Sequence, residues 1–402
     1  MNTHKYRPRA QKWFNIMLRY SYGLYLRYYF KISARGLGQI KALSPPYVLV
    51  PNHMGMLDPF MVNAFIPHPV HWVTSDGNMR SRAMKMLLSL VGSIPKSKSI
   101  PDMVTIGWIV EVIRKRGGIV GIFAEGQASW DDHTQELAPA TGKLLKMLKV
   151  PVVVAILKGA YYSQPRWSWS TRPGNMEIEF KTILNAGELK TMSAEDILKK
   201  LQDSMEYDEE QWRSLNPVRH KSPNRARHIE LALYMCSNCG RVGAMRSFFN
   251  RLHCKACGHV LKLSKNHKFM ALGQSKPRFE SIRAWNKWQE KAFRQLLENS
   301  APDVPLFSDS GVKLLKGSRI KPLFPLHSGT LVLYGDRIEL TSLAGHKLAF
   351  YISHIEGEGV LKQQLLEFYI EKTLYQLRFP RRFQSARKWA DAISILKPAA
   401  AR

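Results

Sequence analysis

Between residue 36 and about residue 200, apolar runs of strand length alternate with segments of helical length, and few folds accommodate that order. The pattern predicts strands at Tyr47–Val50, Val70–Thr74, Ile119–Phe123, Val150–Leu157 and Met176–Phe180. It predicts helices at Asp58–Phe65, Arg82–Leu90, Met103–Arg116 and Thr141–Leu148. Strands joined through helices run largely parallel, so the expected class is α/β with a central, mostly parallel or mixed sheet. In such a sheet the functional residues gather in the loops beyond the strand ends.

The first of these loops carries a histidine and a carboxylate. The run Tyr47-Val48-Leu49-Val50 stops at Pro51 and is followed by Asn52-His53-Met54-Gly55-Met56-Leu57-Asp58. A neutral imidazole can accept a proton near neutral pH, and a nearby carboxylate can fix its tautomer and stabilise the imidazolium. His53 is therefore the candidate base and Asp58 its orienter. On spacing alone the pair is weak, because a His and an Asp this close together often arise by chance.

Asn52-His53-x4-Asp58 resembles the N-H-x-x-x-x-D signature of the glycerolphosphate acyltransferase family, which includes lysophosphatidic acid acyltransferases. Three further stretches follow in that family's order. Gly92-Ser93-Ile94-Pro95-Lys96-Ser97-Lys98 is similar to its second block, and Phe123-Ala124-Glu125-Gly126-Gln127-Ala128-Ser129 to its third, F-P-E-G-T-R-S. Val150-Pro151-Val152-Val153-Val154 is similar to the fourth, an apolar run with prolines. The likeness spans roughly residues 15 to 200.

The resemblance implies transfer of a fatty acyl group from acyl-coenzyme A or acyl-carrier protein to a lysophospholipid, such as a 1-acylglycerol 3-phosphate, or to a related lipid hydroxyl. His53 would take the hydroxyl proton and Asp58 would hold the imidazole; the thioester is already activated, so no covalent nucleophile is needed. The substrate-binding candidates are Asn52, Gly55, Lys96, Lys98, Glu125 and Gly126. Gly55 and Gly126 serve either close backbone approach or a turn. Glu125 either shapes the acceptor pocket or ties loops together, and the motif context favours the pocket. In the family, a basic residue of the second block and the arginine of the third bind a glycerol phosphate. Here Ala128 stands in that arginine's place and Gln127 replaces the threonine, while Lys96 and Lys98 offer point charges without the planar arginine fork. The phosphate site is weakened, or other basic residues compensate.

Charge narrows the partners. Sixty Lys+Arg against 31 Asp+Glu give a formal net charge of +29, which calls for an anionic partner, nucleic acid or an acidic membrane surface. Residues 1–40 hold many cations, no acid, and an aromatic-rich run from Trp13 to Phe30. Arg19 and Arg27 interrupt any stretch long enough to span a bilayer, and the run lacks the form of a cleaved signal peptide. The expected structure is a basic, aromatic helix or helix pair lying in the interface of an anionic membrane. A core-packing helix with a solvated basic face is the alternative, and the two can coexist.

A basic, proline-marked linker, Asn216 to Pro223, closes the first region, after a helix start at Ser193-Ala194-Glu195-Asp196. Beyond it, Cys236-Ser237-Asn238-Cys239-Gly240 and Cys254-Lys255-Ala256-Cys257-Gly258 are C-x-x-C-G knuckles whose cysteine pairs are separated by fourteen residues, 240–253. Two such knuckles complete a four-cysteine site for structural zinc, and every one of the chain's 4 cysteines is used. His253 and His259 are read as bystanders, and Phe248 and Phe249 as cover for the ribbon's small core. Arg241, Arg246, Arg251 and Lys255 are read as solvated rather than as a nucleic-acid surface.

A helical stripe follows, with Phe279, Ile282, Trp285, Trp288, Phe293 and Leu296 as packing residues. The last hundred residues read as antiparallel strands, with a hairpin turn at Gly335-Asp336, closed by a helix from Ser385 to Leu396. By pattern this end resembles pleckstrin-homology or GRAM-like docking modules. The expected organisation is thus 1–40 interface helices, 41–215 acyltransferase-like domain, 228–270 zinc ribbon, 274–299 connecting helix and 303–400 β module. The expected setting is peripheral, on the cytoplasmic face of a bacterial membrane. The competing class is an acyltransferase-like scaffold without turnover, holding a membrane, nucleic acid or partner.

Overall fold

The computed structural model describes residues 6–97, 102–218, 220 and 222–397. Lys98 lies outside them. The described residues divide into two compact units, one built on those before 222 apart from Trp167–Ser170, the other on Trp167–Ser170 and those from Ser222 onward.

The first unit is built on a mixed seven-stranded sheet in the order β1-β7-β6-β2-β5-β3-β4. The strands are β1 (Ile32–Arg35), β2 (Tyr47–Pro51), β3 (Val70–Ser75), β4 (Ile94–Lys96), β5 (Ile119–Gly121), β6 (Val152–Lys158) and β7 (Met176–Leu184). From β6 through β2, β5 and β3 to β4 every neighbour is parallel; β7 turns antiparallel to β6, and β1 runs parallel to β7. All five residues of β2 are buried, as expected of a central strand covered on both faces. In register Val48 faces Val152 of β6 and Val120 of β5. The carboxyl ends of the five parallel strands open on one edge of the sheet, and His53 and Glu125 both lie beyond it.

The aromatic run near the start forms one continuous helical stretch: Lys12–Leu18, a π-helical turn at Arg19–Gly23, then Leu24–Tyr29. Phe14, Leu26 and Phe30 are buried on one side. Tyr22 meets Phe60 edge-to-face with centroids 5.5 Å apart, and the Arg27 guanidinium lies 4.6 Å over the Phe65 ring. The helical stretch is thereby seated on the segment that begins at Asp58. The opposite side carries Trp13, Ile16, Met17, Tyr20, Leu24 and Tyr28 in the open, with Tyr28 88% exposed. The core-packing reading describes the buried side, and the other side is exposed. No helix among the described residues is long and apolar enough to cross a membrane.

The second unit holds two sheets. One is antiparallel, β11-β10-β9-β8, from β8 (Met245–Phe248), β9 (Arg251–Cys254), β10 (Val260–Leu263) and β11 (Phe269–Ala271). At the turn between β8 and β9, Phe248 is 63% and Phe249 49% exposed, which corrects the expectation that they cover the ribbon's core. Leu252, Leu261, Leu263 and Phe269 fill it instead, because alternate residues of each strand face inward.

The other sheet has seven antiparallel strands in the order β15-β14-β13-β12-β18-β17-β16. They are β12 (Phe307–Gly317), β13 (Phe324–Leu333), β14 (Arg337–Ser342), β15 (Lys347–Tyr351), β16 (Glu356–Leu361), β17 (Leu365–Ile370) and β18 (Thr373–Arg378). The helix Ala386–Leu396 closes the module; Ser385 caps it, and Trp389 is fully buried with its Nε1 donating to Asp309 Oδ2 at 2.8 Å. In the helix Ile282–Glu298, Ile282, Trp285, Phe293 and Leu297 are buried while Leu296 is exposed, so the stripe sits one position later at its end than expected.

Candidate active site and metal centre

Asn52 fixes where β2 ends. Its side-chain amide donates to Leu157 O at 3.3 Å and its Oδ1 accepts from Leu157 N at 2.7 Å, extending the ladder to β6 by one rung made of a side chain. The residue is fully buried. The next residue, His53, is then released from the sheet at the loop edge.

His53 Nδ1 lies 2.9 Å from Asp58 Oδ2. The same oxygen accepts from the backbone N–H of Met54 at 2.7 Å and of Gly55 at 2.8 Å. An ionised carboxylate only accepts, so Nδ1 is the protonated nitrogen and Nε2 keeps its lone pair. Asp58 is buried and opens the helix Asp58–Asn63, whereas the imidazole is 21% exposed. The ring stacks on Phe123 at 4.2 Å between centroids, and Phe123 stacks on Trp72 at 5.1 Å. This arrangement holds a basic nitrogen against an aromatic floor while leaving it open to a substrate.

Glu125 ties the loops together. Its Oε1 accepts from His53 N at 2.7 Å and its Oε2 from Gln135 N at 2.8 Å, so the loop-tying alternative describes its geometry. Burial pushes its carboxyl up to about 8, against the pull of those two amides. Ser129 N donates to His53 O at 2.9 Å, closing the third block onto the first. Gly126 adopts φ +73° with open space around it, so a turn is what requires a glycine there. Gly55 is a close approach: a Cβ would lie 3.1 Å from Gln164 O and 3.2 Å from Gln164 Oε1.

Lys96 is placed elsewhere. It ends β4, three inter-strand steps from β2, or about 14 Å at the usual strand spacing. Its Nζ donates to Ser97 O at 3.1 Å, with Asp76 and Asp102 as its electrostatic partners. The sequence reading missed Gln164 and Arg166, which lie between β6 and β7, just after the short helix Ala160–Ser163. Arg166 Nη1 donates to Gln127 Oε1 at 3.1 Å and to Ala128 O at 2.7 Å, and its Cζ lies 4.2 Å over the Trp130 ring. Their one available signal was position, just past the carboxyl end of a central strand.

Cys236, Cys239, Cys254 and Cys257 bring their four sulfurs within 4.8 Å of one another. Cys236 Sγ is 3.8 Å from Cys257 Sγ, and Cys239 Sγ is 3.8 Å from Cys254 Sγ. Sulfurs at the corners of a tetrahedron around a metal at ~2.3 Å are about 3.8 Å apart, so the donor set fits a four-thiolate metal site. Ala256 N donates to Cys254 Sγ at 3.4 Å and Asn238 Nδ2 to Cys257 Sγ at 3.6 Å, the support thiolates need.

Comparison with known proteins bears on the first unit. Residues 31–158 match the Acyltransferase family, and that stretch contains His53, Asp58 and Glu125. No curated protein matches the chain. Among solved structures, the 1-acyl-sn-glycerophosphate (LPA) acyltransferase PlsC from Thermotoga maritima is similar at 14% identity and a TM-score of 0.43, over 50% of this chain and 79% of that one. Residues 31–158 of this chain are an acyltransferase-family domain.

Proposed function

We propose that the protein is a membrane-peripheral O-acyltransferase that moves a fatty acyl group from acyl-coenzyme A or acyl-carrier protein to the free hydroxyl of a lysophospholipid, with 1-acylglycerol 3-phosphate as the leading acceptor. The observation that carries this reading is the 2.9 Å contact between His53 Nδ1 and Asp58 Oδ2 inside an acyltransferase-family domain. His53 Nε2 takes the hydroxyl proton as that oxygen attacks the thioester carbonyl; the C–O bond forms, the C–S bond breaks, and the imidazolium gives the proton to the departing thiolate, which leaves as the thiol. Asp58 holds the ring and stabilises the imidazolium, and Glu125 is a positioning residue that sets the His53 backbone.

The exposed stripe of Trp13, Tyr20, Leu24 and Tyr28, together with the net charge of +29, supports docking on an anionic bilayer. The four-cysteine cluster fits zinc in a structural role, and the C-terminal β module is read as a docking module. The test is acyl transfer from radiolabelled donors to a panel of lysolipids. Label in a diacyl product that is lost in His53→Ala supports the reading; transfer unaffected by that substitution refutes the base assignment.

A further inference from the structure

The third-block loop has an alanine at position 128, yet a guanidinium is held against it from another part of the chain. Arg166 Nη1 donates to both Gln127 Oε1 and Ala128 O, and the planar group lies over the Trp130 face, itself buried. Three contacts on one loop fix the plane of the fork, which removes much of the rotamer freedom an arginine otherwise gives up on binding. Arg166 is only partly buried, so ligand oxygens can reach it.

Its position also suits the reaction centre. Ala128, which accepts from Arg166, is followed directly by Ser129, which donates to His53 O at 2.9 Å. Gln164, two residues before Arg166, packs against Gly55 in the turn that carries Asp58. The segment 164–166 therefore touches both the turn that carries the catalytic pair and the third-block loop bonded to it. A small acceptor that places a hydroxyl at His53 and an anionic group a few bonds away would bring that group to this fork. Lys96, at the end of β4, has no such placement.

We infer that Arg166, set against Gln127, Ala128 and Trp130, binds a phosphate monoester of the substrate and so supplies from between β6 and β7 the guanidinium that position 128 lacks. Planar, two-donor recognition of phosphate oxygens is what an arginine fork offers and a lysine does not. The inference rests on the acyl-transfer reading and deepens it, because it assigns the acceptor or donor class. The phosphate belongs either to the acceptor or to the 3′-phosphate of coenzyme A, and the experiment distinguishes the two.

The test compares the full-length wild type with Arg166→Ala, Arg166→Lys and the double variant Arg166→Ala/Ala128→Arg. Acceptors are 1-acylglycerol 3-phosphate and monoacylglycerol; donors are acyl-coenzyme A and acyl-pantetheine. Arg166→Ala is expected to raise KM about 10- to 100-fold for the phosphate-bearing partner alone. Arg166→Lys restores little of this and Ala128→Arg restores much. Selective loss with the phosphate-bearing acceptor assigns the acceptor's phosphate; selective loss with acyl-coenzyme A assigns the donor's. Equal loss with every pair, or no loss, overturns the site. Binding of glycerol 3-phosphate and of 3′-AMP, followed by thermal shift, needs no turnover. A wild type silent in all transfers defeats the acyl-transfer reading, while a shift absent in Arg166→Ala still supports the phosphate site, and an equal shift in both proteins refutes it.

Discussion

Asp58 Oδ2 receives His53 Nδ1 at 2.9 Å and, on the same oxygen, the amides of Met54 and Gly55. One carboxylate thus sets both the tautomer of the imidazole and the turn that carries it. Asp58→Asn offers an amide N–H where an acceptor is needed, so kcat is expected to fall on the order of 100-fold or more. Asp58→Ala also leaves two turn amides without their acceptor, costing about 1–3 kcal/mol of stability. Kinetics and thermal melts on both variants check this; an unchanged kcat in Asp58→Asn would contradict the orienting role.

Glu125 gives the fold a pH dependence of stated sign. Its folded-state carboxyl is raised by burial from an ordinary value of 4.5 to about 8. Between those values the native state holds a proton that the unfolded chain has released, so stability falls as pH rises through that window and levels off above it. Glu125→Gln stays neutral throughout. The stability of the wild type minus that of this variant, from denaturant titrations at pH 5 and pH 8, is expected to be lower at pH 8. A constant difference would show that burial does not govern this carboxyl.

The cysteine cluster predicts metal. Purified protein should carry one zinc per chain by elemental analysis, and Cys254→Ser should lose it, because Cys254 is buried beside Cys239 at 3.8 Å. Metal binding by such sites is folding free energy, so chelation is expected to loosen amide exchange across β8–β11. Retained zinc in Cys254→Ser would remove that residue from the ligand set.

The aromatic face predicts a lipid partner. Tyr20 and Leu24 stand exposed on it, and the double variant Tyr20→Glu/Leu24→Glu is expected to bind anionic vesicles about tenfold more weakly or worse. Vesicle flotation with phosphatidylglycerol against phosphatidylcholine reads this directly. Wild-type binding to neither lipid would leave the face without its proposed partner.

The central strands were legible because a parallel sheet buried on both faces demands unbroken apolar runs, and Tyr47-Val48-Leu49-Val50 is one. The strands that escaped notice are those that pattern cannot announce. β1 and β4 are edge strands of 4 and 3 residues, β4 with Pro95 inside it, and β12 is broken by register shifts at Asp309/Val312 and Leu314/Leu315. At the site, His53 and Asp58 were readable because they are local to one turn. The loop-tying role of Glu125 and the approach of Arg166 were not, since they depend on contacts between residues far apart in sequence, 72 for Glu125 to His53 and 38 for Arg166 to Ala128. Phe248 and Phe249 misled because aromaticity does not say which face of a hairpin a side chain takes.

The central claim is that His53 is the base of an acyl transfer, and the most direct measurement is the single-turnover rate of transfer from acyl-coenzyme A or acyl-carrier protein to 1-acylglycerol 3-phosphate in wild type and His53→Ala. The account predicts a fall of about 10²–10⁴-fold with the thermal melt unchanged. A folded His53→Ala protein that transfers label at the wild-type rate would contradict it.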